Sequence, residues 1–464
     1  MKYDIAVVGG GPAGYTAALH GSSLGAKVVL FEENKPGGVC LNSGCIPTKT
    51  YLFQSELLEH IRLATEEGVF RDAGQYSFKK IYDRKNKVVE KLVSGVDGLL
   101  RTAGVTVVRE SAVCKDAHTI VAGGETYKTK KLILATGSKN AVLPIDGITG
   151  RNVLDHVGAL DLKRLPQRLV IIGAGVVGLE LACVFSSFDV QVTLLEAMND
   201  LLPNVDGEAV QFLKNNMKKT GICLELGVKV LSIADDGDGK RVTCEYADGK
   251  KEFMADYVIS AVGRAPTNQI ALNLGLKTDT KGFLAVNDRM QTSHADVYAA
   301  GDITGGYLLA HSAYAEAEIA VRNCLGEKEK VDLSVMPRCI FTMPTISEVG
   351  LNEAEARKAY QDIKTGKFPF AASGRAVSMG ADSGFVKWIA RADGSLLGCT
   401  IVGAPETSEL ISVAVVALQA HLKAEAFVPM IFPHPTLSES VKEGAMAVLG
   451  QALHVPNDTR RPEH

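Results

Sequence analysis

Residues 3–32 read YDIAVVGGGPAGYTAALHGSSLGAKVVLFE, and this stretch decides the fold. It consists of a short apolar strand, the glycine motif Gly9-x-Gly11-x-x-Gly14, an apolar helix and a second strand that is followed by Glu32. Glycines at this spacing allow a tight turn, and they let a pyrophosphate approach the N-terminus of the helix closely. An acid at the end of the second strand can accept hydrogen bonds from ribose hydroxyls. The stretch therefore predicts a Rossmann-like fold that binds a dinucleotide.

The same arrangement occurs a second time further along the chain. Leu169–Ile172 precedes the motif Gly173-x-Gly175-x-x-Gly178, and Glu196 follows that motif at the same spacing as Glu32 follows the first. A glycine-rich turn in an unrelated α/β protein could imitate one copy, but two copies favour two dinucleotide sites. Residues 197–200 contain no arginine that could neutralise a 2′-phosphate, so the second site should prefer NAD to NADP.

The composition excludes several classes of protein. The chain has 464 residues, of which 46% are hydrophobic, and its net charge of −3 makes nucleic acid or an anionic membrane an unexpected partner. No stretch approaches the roughly 20 apolar residues of a membrane span, and the first residues lack the features of a signal peptide. The nine cysteines are mostly scattered singly. We therefore expect a reducing, cytoplasmic setting, in which a close cysteine pair is catalytic or metal-binding.

Further apolar segments end in glycine turns and outline the remaining domains. They are residues 131–137, 257–264 and 297–302. From about residue 335 the pattern changes to strands at 385–389 and 400–402 and helices at 406–419 and 438–449. We predict an α/β protein in which the first nucleotide-binding domain has two parts, 1–148 and 267–334, with a second nucleotide-binding domain at 149–266 and an α+β domain at 335–464.

A pair of cysteines lies in the segment GGVCLNSGCIPTK, residues 37–49. Residues 50–66 read as a helix and Pro47 suits a first helical turn, so Cys45 should lie at the helix N-terminus, where the helix dipole favours a thiolate. Cys40 is near enough to form a disulfide with Cys45 if the intervening turn is compact. Lys49, one turn later, would stabilise negative charge. A zinc half-site and two inert buried cysteines are the alternatives, although no second cysteine pair is present to complete a metal site.

With these motifs, the sequence resembles the pyridine nucleotide–disulfide oxidoreductases. The resemblance rests on GGVCLNSGCIPTK, both glycine motifs, ATG at 135–137, AVGRAPTN at 261–268 and AAGDITGG at 299–306, and it extends over essentially the whole chain. It implies FAD on the first glycine motif, NAD on the second and a C-terminal dimerisation domain. It also implies a redox-active disulfide in which Cys45 faces the flavin and Cys40 meets the substrate.

The resemblance assigns residues to both cofactors. It implies that Glu32 holds the FAD ribose, that Asp302 lies at the ribityl side, and that Lys49 lies near the flavin and pairs with Glu180. The residues that it implies for FAD are Gly9, Gly11, Pro12, Ala13, Gly14, Glu32, Gly38, Lys49, Ala112, Gly137, Asp302, Leu309, Ala310 and His311. Those that it implies for NAD are Gly173, Gly175, Val176, Val177, Gly178, Glu180, Glu196, Val230 and Gly263.

Toward the C-terminus, His434-Pro-Thr-Leu-Ser-Glu439 matches a second catalytic motif of the family. By itself, a histidine followed five residues later by a glutamate is an ordinary occurrence. The resemblance implies that His434 is the catalytic base and that Glu439 orients it. In the family this histidine reaches the active site of the other subunit, which implies a homodimer.

Within the family, the motifs most resemble the branch that oxidises dihydrolipoyl groups with NAD. This implies a protein-bound dithiol substrate, carried by a lipoyl domain, by the H-protein of a glycine cleavage system or by the E2 core of a 2-oxoacid dehydrogenase complex. A glutathione-, trypanothione- or mercuric-type reductase is one alternative. Glu196 argues against the NADPH-dependent members of that group, and no cysteine pair follows Cys399. A mainly structural subunit is the other alternative, against which the intact Cys40, Cys45, Lys49 and His434 argue.

Overall fold

The computed structural model describes residues 2–404 and 406–456. In chain order its α-helices are α1 Pro12–Ser23, α2 Gly38–Ser43, α3 Cys45–Glu66, α4 Phe78–Thr102, α5 His156–Leu160, α6 Val176–Ser187, α7 Gly207–Lys219, α8 Gln269–Asn273, α9 Ala310–Cys324, α10 Glu353–Ala359, α11 Gly374–Ser378, α12 Thr407–Gln419 and α13 Glu439–Val448. Its strands are β1 Lys2–Val8, β2 Val28–Phe31, β3 Thr106–Val108, β4 Val113–Asp116, β5 Thr119–Ala122, β6 Glu125–Leu134, β7 Ser138–Asn140, β8 Val153–Leu154, β9 Arg168–Ile172, β10 Gln191–Leu195, β11 Cys223–Glu225, β12 Lys229–Asp236, β13 Gly239–Tyr246, β14 Gly249–Ala255, β15 Tyr257–Ser260, β16 Arg264–Pro266, β17 Val297–Ala299, β18 Arg338–Ile340, β19 Ile346–Gly350, β20 Ile363–Pro369, β21 Phe385–Arg391 and β22 Leu396–Val402.

The chain divides into two compact units, each made of separate segments. The first unit consists of Met1–Gln167, Leu231–Val242 and Met254–Asp332. The second consists of Arg168–Val230, Thr243–Phe253 and Leu333–His464. The strands β12, β13 and β14 each have residues in both units. The four domain boundaries expected from the sequence stay predictions.

The first unit is built around a seven-stranded sheet in the order β3-β2-β1-β6-β5-β4, with β17 paired to β6. Strand β1 is parallel to both β2 and β6, so that Val8 lies beside Phe31 and Leu134. Strand β17 is also parallel to β6, whereas β4, β5 and β6 are antiparallel. Because the carboxyl ends of parallel strands meet at one edge of a sheet, the loops after β1, β6 and β17 come together there.

Two helices, α1 and α9, pack side by side in the first unit. Small residues face this contact, and Ala17, Ala317 and Ala320 are fully buried within one apolar cluster that also contains Ile5 and Ile133 from the sheet. Alanine lets the two helices approach closely, and it loses no side-chain entropy on burial. The packing fixes the N-termini of both helices at the edge of the sheet where the strand-ending loops lie.

The second unit contains a parallel sheet and an antiparallel sheet. Strands β9, β10 and β11 are parallel and carry the second glycine motif, which leads into α6. Strands β18 to β22 form an antiparallel sheet in the order β18-β19-β22-β21-β20, which packs with α12 and α13 around one core. At its centre the buried Trp388 donates its indole N–H to the carbonyl of Val441 at 2.9 Å. None of the helices in the described segments is both long and apolar enough to cross a membrane.

Candidate active site

Both glycine motifs have the same backbone geometry. The φ angles of Gly9 and Gly173 are 100° and 99°, in the region that side chains disfavour. The N–H of Gly9 donates to the carbonyl of Phe31 at 2.9 Å, and that of Gly173 donates to Leu195 at 2.8 Å. A Cβ atom on Gly9 would lie 2.2 Å from the carbonyl oxygen of Ala135. Only glycine therefore fits this turn.

Each motif leads into a helix whose N-terminus has no side-chain cap. Gly11 precedes α1 and Gly175 precedes α6, and neither helix has an acidic side chain in its first turn. The first backbone N–H groups of a helix lack partners within the helix and favour an anion, such as the diphosphate of a dinucleotide. A Cβ atom on Gly175 would meet nothing within 4 Å, so the approach to α6 is open. The residues present at both helices therefore fit FAD and NAD.

The acid that follows each second strand braces its own glycine turn. The carboxylate of Glu32 accepts the N–H of Gly10 at 2.7 Å and that of Asn34 at 2.8 Å. Glu196 accepts the N–H groups of Ala174 and Met198, both at 2.8 Å. Each carboxylate keeps lone pairs that can accept further hydrogen bonds from a ribose.

Asp302 lies at the same edge of the first unit, three residues after the last residue of β17. Its carboxylate accepts a hydrogen bond from the hydroxyl of Ser138, and it lies 3.5 Å from the guanidinium of Arg264. The guanidinium in turn donates to the Ser138 hydroxyl at 2.5 Å. The sequence indicated Asp302, and the motif AVGRAPTN contains Arg264, but nothing in the sequence joined Ser138 or Arg264 to Asp302, because β7 and β16, which carry them, pair only in the folded chain.

A second acid, Glu316 on α9, lies buried beneath this turn. It accepts the N–H of Gly301 at 2.7 Å and the hydroxyl of Thr304 at 3.4 Å. Burial raises the pKa of Glu316 to about 7, and the two hydrogen bonds act in the opposite direction. Sequence reasoning missed Glu316, since one acid in a helix usually lies on a solvated face.

The cysteine pair joins two consecutive helices. Cys45 is the first residue of α3, as the helix-terminus argument predicts, and Cys40 lies in the short helix α2. All nine cysteines lie in the described segments and are thiols in this structure. A hydrogen bond to Cys45 and burial both raise the pKa of the Cys40 thiol, whereas Lys49 acts to lower it. The two thiols therefore lie close enough to interact, as a redox pair requires.

The cysteine segment is fixed directly to the first glycine turn. The N–H of Gly37 donates to the carbonyl of Gly10 at 2.8 Å. Gly38, with a φ of 58°, lies so close to the turn that a Cβ atom on it would be 2.6 Å from the Cα of Gly11. The proposed FAD diphosphate site and the thiols are therefore parts of one continuous structure.

Two tyrosines lie near the thiols. The hydroxyls of Tyr15 on α1 and Tyr314 on α9 are 2.9 Å apart. Burial, the hydrogen bond with Tyr15 and the proximity of Cys40 and Cys45 all raise the pKa of Tyr314, so its phenol stays neutral. The glycine and cysteine motifs gave no signal for this pair.

The stretch that the resemblance assigns to the flavin forms the start of α9. Leu308 has a φ of 54°, Leu309 precedes the helix without a side-chain cap, and Ala310 is its first residue. His311 lies in the first turn and is exposed. An uncapped helix N-terminus favours negative charge nearby.

His434 and Glu439 lie together in the second unit. Nδ1 of the imidazole is 2.9 Å from one carboxylate oxygen of Glu439, and the other oxygen accepts the N–H of Thr436 at 2.9 Å. Partial burial acts to raise the pKa of Glu439, but the Thr436 N–H and His434 hold it below its ordinary value. The His434 side chain is 79% exposed, which leaves it accessible to a second molecule.

The remaining candidate residues lie in several elements. In the first unit, Ala112 precedes β4, and Gly137 follows β6 and accepts the N–H of Thr267 at 2.9 Å. Gly263 precedes β16 with a φ of 117°.

In the second unit, Val176 and Val177 begin α6, and Val230 lies buried in β12. Glu180, also on α6, is buried and accepts the N–H of Phe341 at 3.1 Å. The pairing of Lys49 with Glu180 stays a prediction. The described residues contain no group of three or more side chains that could hold a metal ion.

Two family models together match most of the chain. The model described as pyridine nucleotide-disulphide oxidoreductase matches residues 3–317. The model described as the dimerisation domain of the same oxidoreductases matches residues 336–445 and supports a homodimer.

Curated relatives match over their full length. Dihydrolipoyl dehydrogenase from Thermus scotoductus is 40% identical over 461 residues, which cover 98% of this chain and 99% of the relative. Dihydrolipoyl dehydrogenase from Geobacillus stearothermophilus is 36% identical over 462 residues, which cover 98% of both chains.

Solved structures match equally widely. The HOCl-induced flavoprotein disulfide reductase RclA from Escherichia coli is 29% identical, with a TM-score of 0.86 over 96% of this chain and 99% of that one. LpdA from Mycobacterium tuberculosis is 27% identical, with a TM-score of 0.88 over 95% of this chain and 99% of that one. The fold class expected from the sequence, two Rossmann-like domains and an α+β dimerisation domain, is confirmed.

Proposed function

Because the chain belongs to the pyridine nucleotide–disulphide oxidoreductase family, we propose that it oxidises dihydrolipoyl groups to lipoyl groups and reduces NAD, with FAD bound at the first glycine motif. The observation that carries the proposal is the placement of Cys40 in α2 and Cys45 at the N-terminus of α3, as neighbouring thiols on a segment packed against that motif. Full-length relatives named dihydrolipoyl dehydrogenase support the choice of substrate.

The reaction of the substrate is a thiol–disulfide exchange. A thiolate of the dihydrolipoyl group attacks the sulfur of Cys40 in the oxidised pair, and the Cys40–Cys45 bond breaks to leave a thiolate on Cys45. The second substrate sulfur then attacks the mixed disulfide, so that the lipoyl disulfide leaves and both cysteines are reduced. FAD, when bound, carries the electron pair onward to NAD.

Three side chains of this protein assist the exchange. The position of Cys45 at the N-terminus of α3 stabilises its thiolate, and Lys49, one turn later, adds a positive charge. His434 takes the proton of the substrate thiol as general base, since a neutral imidazole has one ring nitrogen that can accept a proton. Glu439, 2.9 Å from Nδ1, orients the ring so that its other nitrogen faces the substrate. In the homodimer, this base serves the thiols of the other copy.

The second cofactor site selects NAD. Glu196 accepts ribose hydroxyls, and residues 197–200 supply no cation for a 2′-phosphate. We expect kcat/KM to be at least about tenfold higher with NAD than with NADP, since an unneutralised phosphate beside a carboxylate is strongly disfavoured. Glu196→Ala should narrow this preference, and unchanged kinetics with both nucleotides would reject the role of Glu196.

The physiological substrate is a dihydrolipoyl group on a carrier protein. A lipoyl domain, an H-protein and an E2 core are the carriers that the proposed chemistry implies. The cytoplasmic location, inferred from the scattered cysteines, stays a prediction.

A disulfide reductase with another substrate is the second candidate. The likeness to RclA, at a TM-score of 0.86, supports it. Steady-state assays of the FAD-loaded chain with dihydrolipoamide and NAD, and with glutathione disulfide and NADH or NADPH, separate the two. We expect rapid turnover only with the lipoamide pair. Turnover of glutathione disulfide alone would contradict the proposal. A chain that turns over neither substrate but binds stably to an E2 core would instead be a structural subunit.

The thiols can be tested with a matched set of variants. Cys40→Ser and Cys45→Ser should each lower kcat for dihydrolipoamide by about 10³-fold or more, because no disulfide can form, while FAD stays bound. Cys223→Ser, at an exposed cysteine of the second unit, is the control and should keep wild-type turnover. Loss of FAD from the Cys45 variant would mean that this residue serves the fold rather than the chemistry.

A further inference from the structure

One face of α4 carries an unusual concentration of positive charge. Lys80, Arg84, Lys87 and Lys91 recur every three or four residues and therefore lie on the same side of the helix. Together with Asp83 and Val88 they line a groove of about 540 Å³. The whole chain has a net charge of −3, so this row, hereafter the α4 cationic face, is a local feature.

The charges of the α4 cationic face are available to a partner. Asp83, the one carboxylate that lines the groove, pairs with Lys79 at 2.7 Å. Within the described segments, Lys80, Lys87 and Lys91 are exposed and no carboxylate lies within ion-pair distance of them. Asp83 is spaced three residues from Lys80 and four from Lys87, but the partner in its ion pair is Lys79.

The opposite side of α4 supports the redox thiols. Val93 and Val96 on that side belong to the apolar cluster that contains Leu41, the neighbour of Cys40, and Ile46, the neighbour of Cys45, packs against the same cluster. Helix α4 therefore packs through one side against the apolar cluster of the cysteine segment. The α4 cationic face is its other, outer side.

Exposed apolar surface adjoins the charges. The guanidinium of Arg84 lies 6.0 Å from the ring centroid of Phe53 on α3, which is 56% exposed. Leu57, one turn further along α3, is also exposed. Arginine and aromatic side chains are enriched at protein–protein interfaces, and Arg84 and Phe53 form such a pair beside the row.

We propose that the α4 cationic face docks an acidic carrier domain that bears the dihydrolipoyl group, an inference that rests on the proposed function. The row extends over roughly 16 Å of helix, which matches a protein surface better than a single small anion. A carrier domain is too large to enter the site of the Cys40 and Cys45 thiols. It must therefore bind to the outer surface while the dihydrolipoyl group that it bears reaches the thiols. The net charge of −3 repels an acidic carrier from most of the protein surface. A local positive surface attracts it and therefore determines where it binds.

The test compares two substrates with two sets of variants. The probes are free dihydrolipoamide and a reduced, lipoylated carrier domain of negative net charge. Lys80→Gln, Lys87→Gln and Lys91→Gln are combined in one variant. The control combines Lys277→Gln, Lys281→Gln and Lys328→Gln, which removes the same charge from exposed lysines elsewhere in the first unit.

We expect the α4 variant to raise KM for the carrier about tenfold with little change in kcat, and to leave free dihydrolipoamide within about twofold of wild type. The difference should shrink at high salt. The control should match wild type, and Lys→Arg changes at the same three α4 positions should restore KM.

Two results would overturn the proposal. One is a carrier KM that stays at the wild-type value or that rises equally in the control. The other is loss of binding to phosphatidylglycerol vesicles with an unchanged carrier KM, which would assign the face to a membrane. Failure of the wild-type enzyme to oxidise free dihydrolipoamide would instead reject the proposed function, so the two failures are distinguishable.

Discussion

The carboxyl group of Glu316 lies buried beneath the turn that carries Asp302, and its pKa is raised to about 7 from an ordinary value of 4.5. The folded protein therefore holds this proton more tightly than the unfolded chain does. This contribution to stability is fully present below pH 4.5 and is lost as the pH rises through about 7.

Glu316→Gln should remove this pH dependence, because an amide keeps the hydrogen bonds and cannot ionise. Relative to the variant, we expect wild type to lose roughly 2–3 kcal/mol of unfolding free energy between pH 5 and pH 8, at about 1.4 kcal/mol per pKa unit. Urea unfolding of both proteins at pH 5 and pH 8 measures this change in the unfolding free energy. Glu318→Gln, exposed on the same helix, should follow wild type. Parallel pH profiles for Glu316→Gln and wild type would contradict the assignment.

Individual residues were predictable where a local pattern names them. Glu32 and Asp302 follow apolar strands, and the ends of parallel strands are where ligands bind. Ser138, Arg264 and Glu316 could not be found in this way. Ser138 and Arg264 lie far apart in sequence, so their role exists only after β7 and β16 have paired. Glu316 lies only 15 residues after Gly301, but a single acid within a helix carries no signal that it is buried.

Among the elements, α2 is one that sequence reasoning missed. Its six residues, GVCLNS, include a glycine, a valine, an asparagine and a serine, all weak helix formers. It forms because the chain enters it through Gly37 and Gly38, both with positive φ, and packs against the first glycine turn. Tertiary contact here overrides intrinsic propensity.

Gly38→Ala should weaken FAD binding by about tenfold or more, because the added Cβ would push the cysteine segment away from the turn at Gly11. Gly25→Ala is the matched control, since Gly25 also has a positive φ but open space around it. It should cost about 1 kcal/mol of stability and leave FAD affinity unchanged. Flavin fluorescence titration distinguishes them, and equal FAD affinities in the two variants would show that the close approach is not required.

Strand β6 shows a similar limit of local patterns. The apolar run at residues 131–137 predicts only its last part, yet the strand begins at Glu125. Its first half is polar and partly exposed, and it forms because it pairs with β5 in an antiparallel hairpin. A polar part of a strand carries no apolar signal of its own, even within a central strand.

Helix α4 is anchored by Lys85 on the side that faces the protein. Its ammonium donates to the carbonyl of Leu160 at 3.1 Å and lies 4.3 Å from the ring centroid of Tyr82. Lys85→Ala should lower the unfolding free energy by about 2–3 kcal/mol, because packing and a buried hydrogen bond are lost together. Lys79→Ala, which removes an exposed ion pair of the same helix, should change it by less than about 0.5 kcal/mol. Similar losses in the two variants would mean that Lys85 contributes no more than a surface charge.

At the scale of the whole molecule, catalysis should depend on the dimer. Ile431, three residues before His434, is 97% exposed in the single chain and is a candidate for the interface between copies. Ile431→Glu should shift the protein toward monomers in sedimentation and reduce dihydrolipoamide oxidation by about tenfold or more, since an unpaired charge would enter an apolar contact. FAD should stay bound.

Leu272→Glu is the control for this change, because Leu272 is an exposed apolar residue of the first unit. It should leave both the sedimentation and the turnover of wild type unchanged. A fully active Ile431 variant that sediments as a monomer would mean that His434 does not serve another copy.

The architecture was predictable because its motif is local and occurs twice. Each glycine triplet with its strand, helix and acid lies within one short stretch, so two Rossmann-like folds can be recognised without any long-range information. The way β17 returns to pair with β6 depends on contacts between distant segments. The sequence indicated that strand but could not give its place in the sheet.

The hydrogen bonds that Glu32 and Glu196 accept from the glycine turns affect how fast a nucleotide can bind. Each carboxylate already accepts two backbone N–H groups, one in the glycine turn and one in the loop that follows the second strand, so both loops are held in place before a nucleotide binds. The conformational entropy of these loops is lost when the protein folds, so it is not lost again when a nucleotide binds. Both nucleotides should therefore bind to preformed sites, and their association rate constants should depend on diffusion and charge more than on rearrangement of the protein.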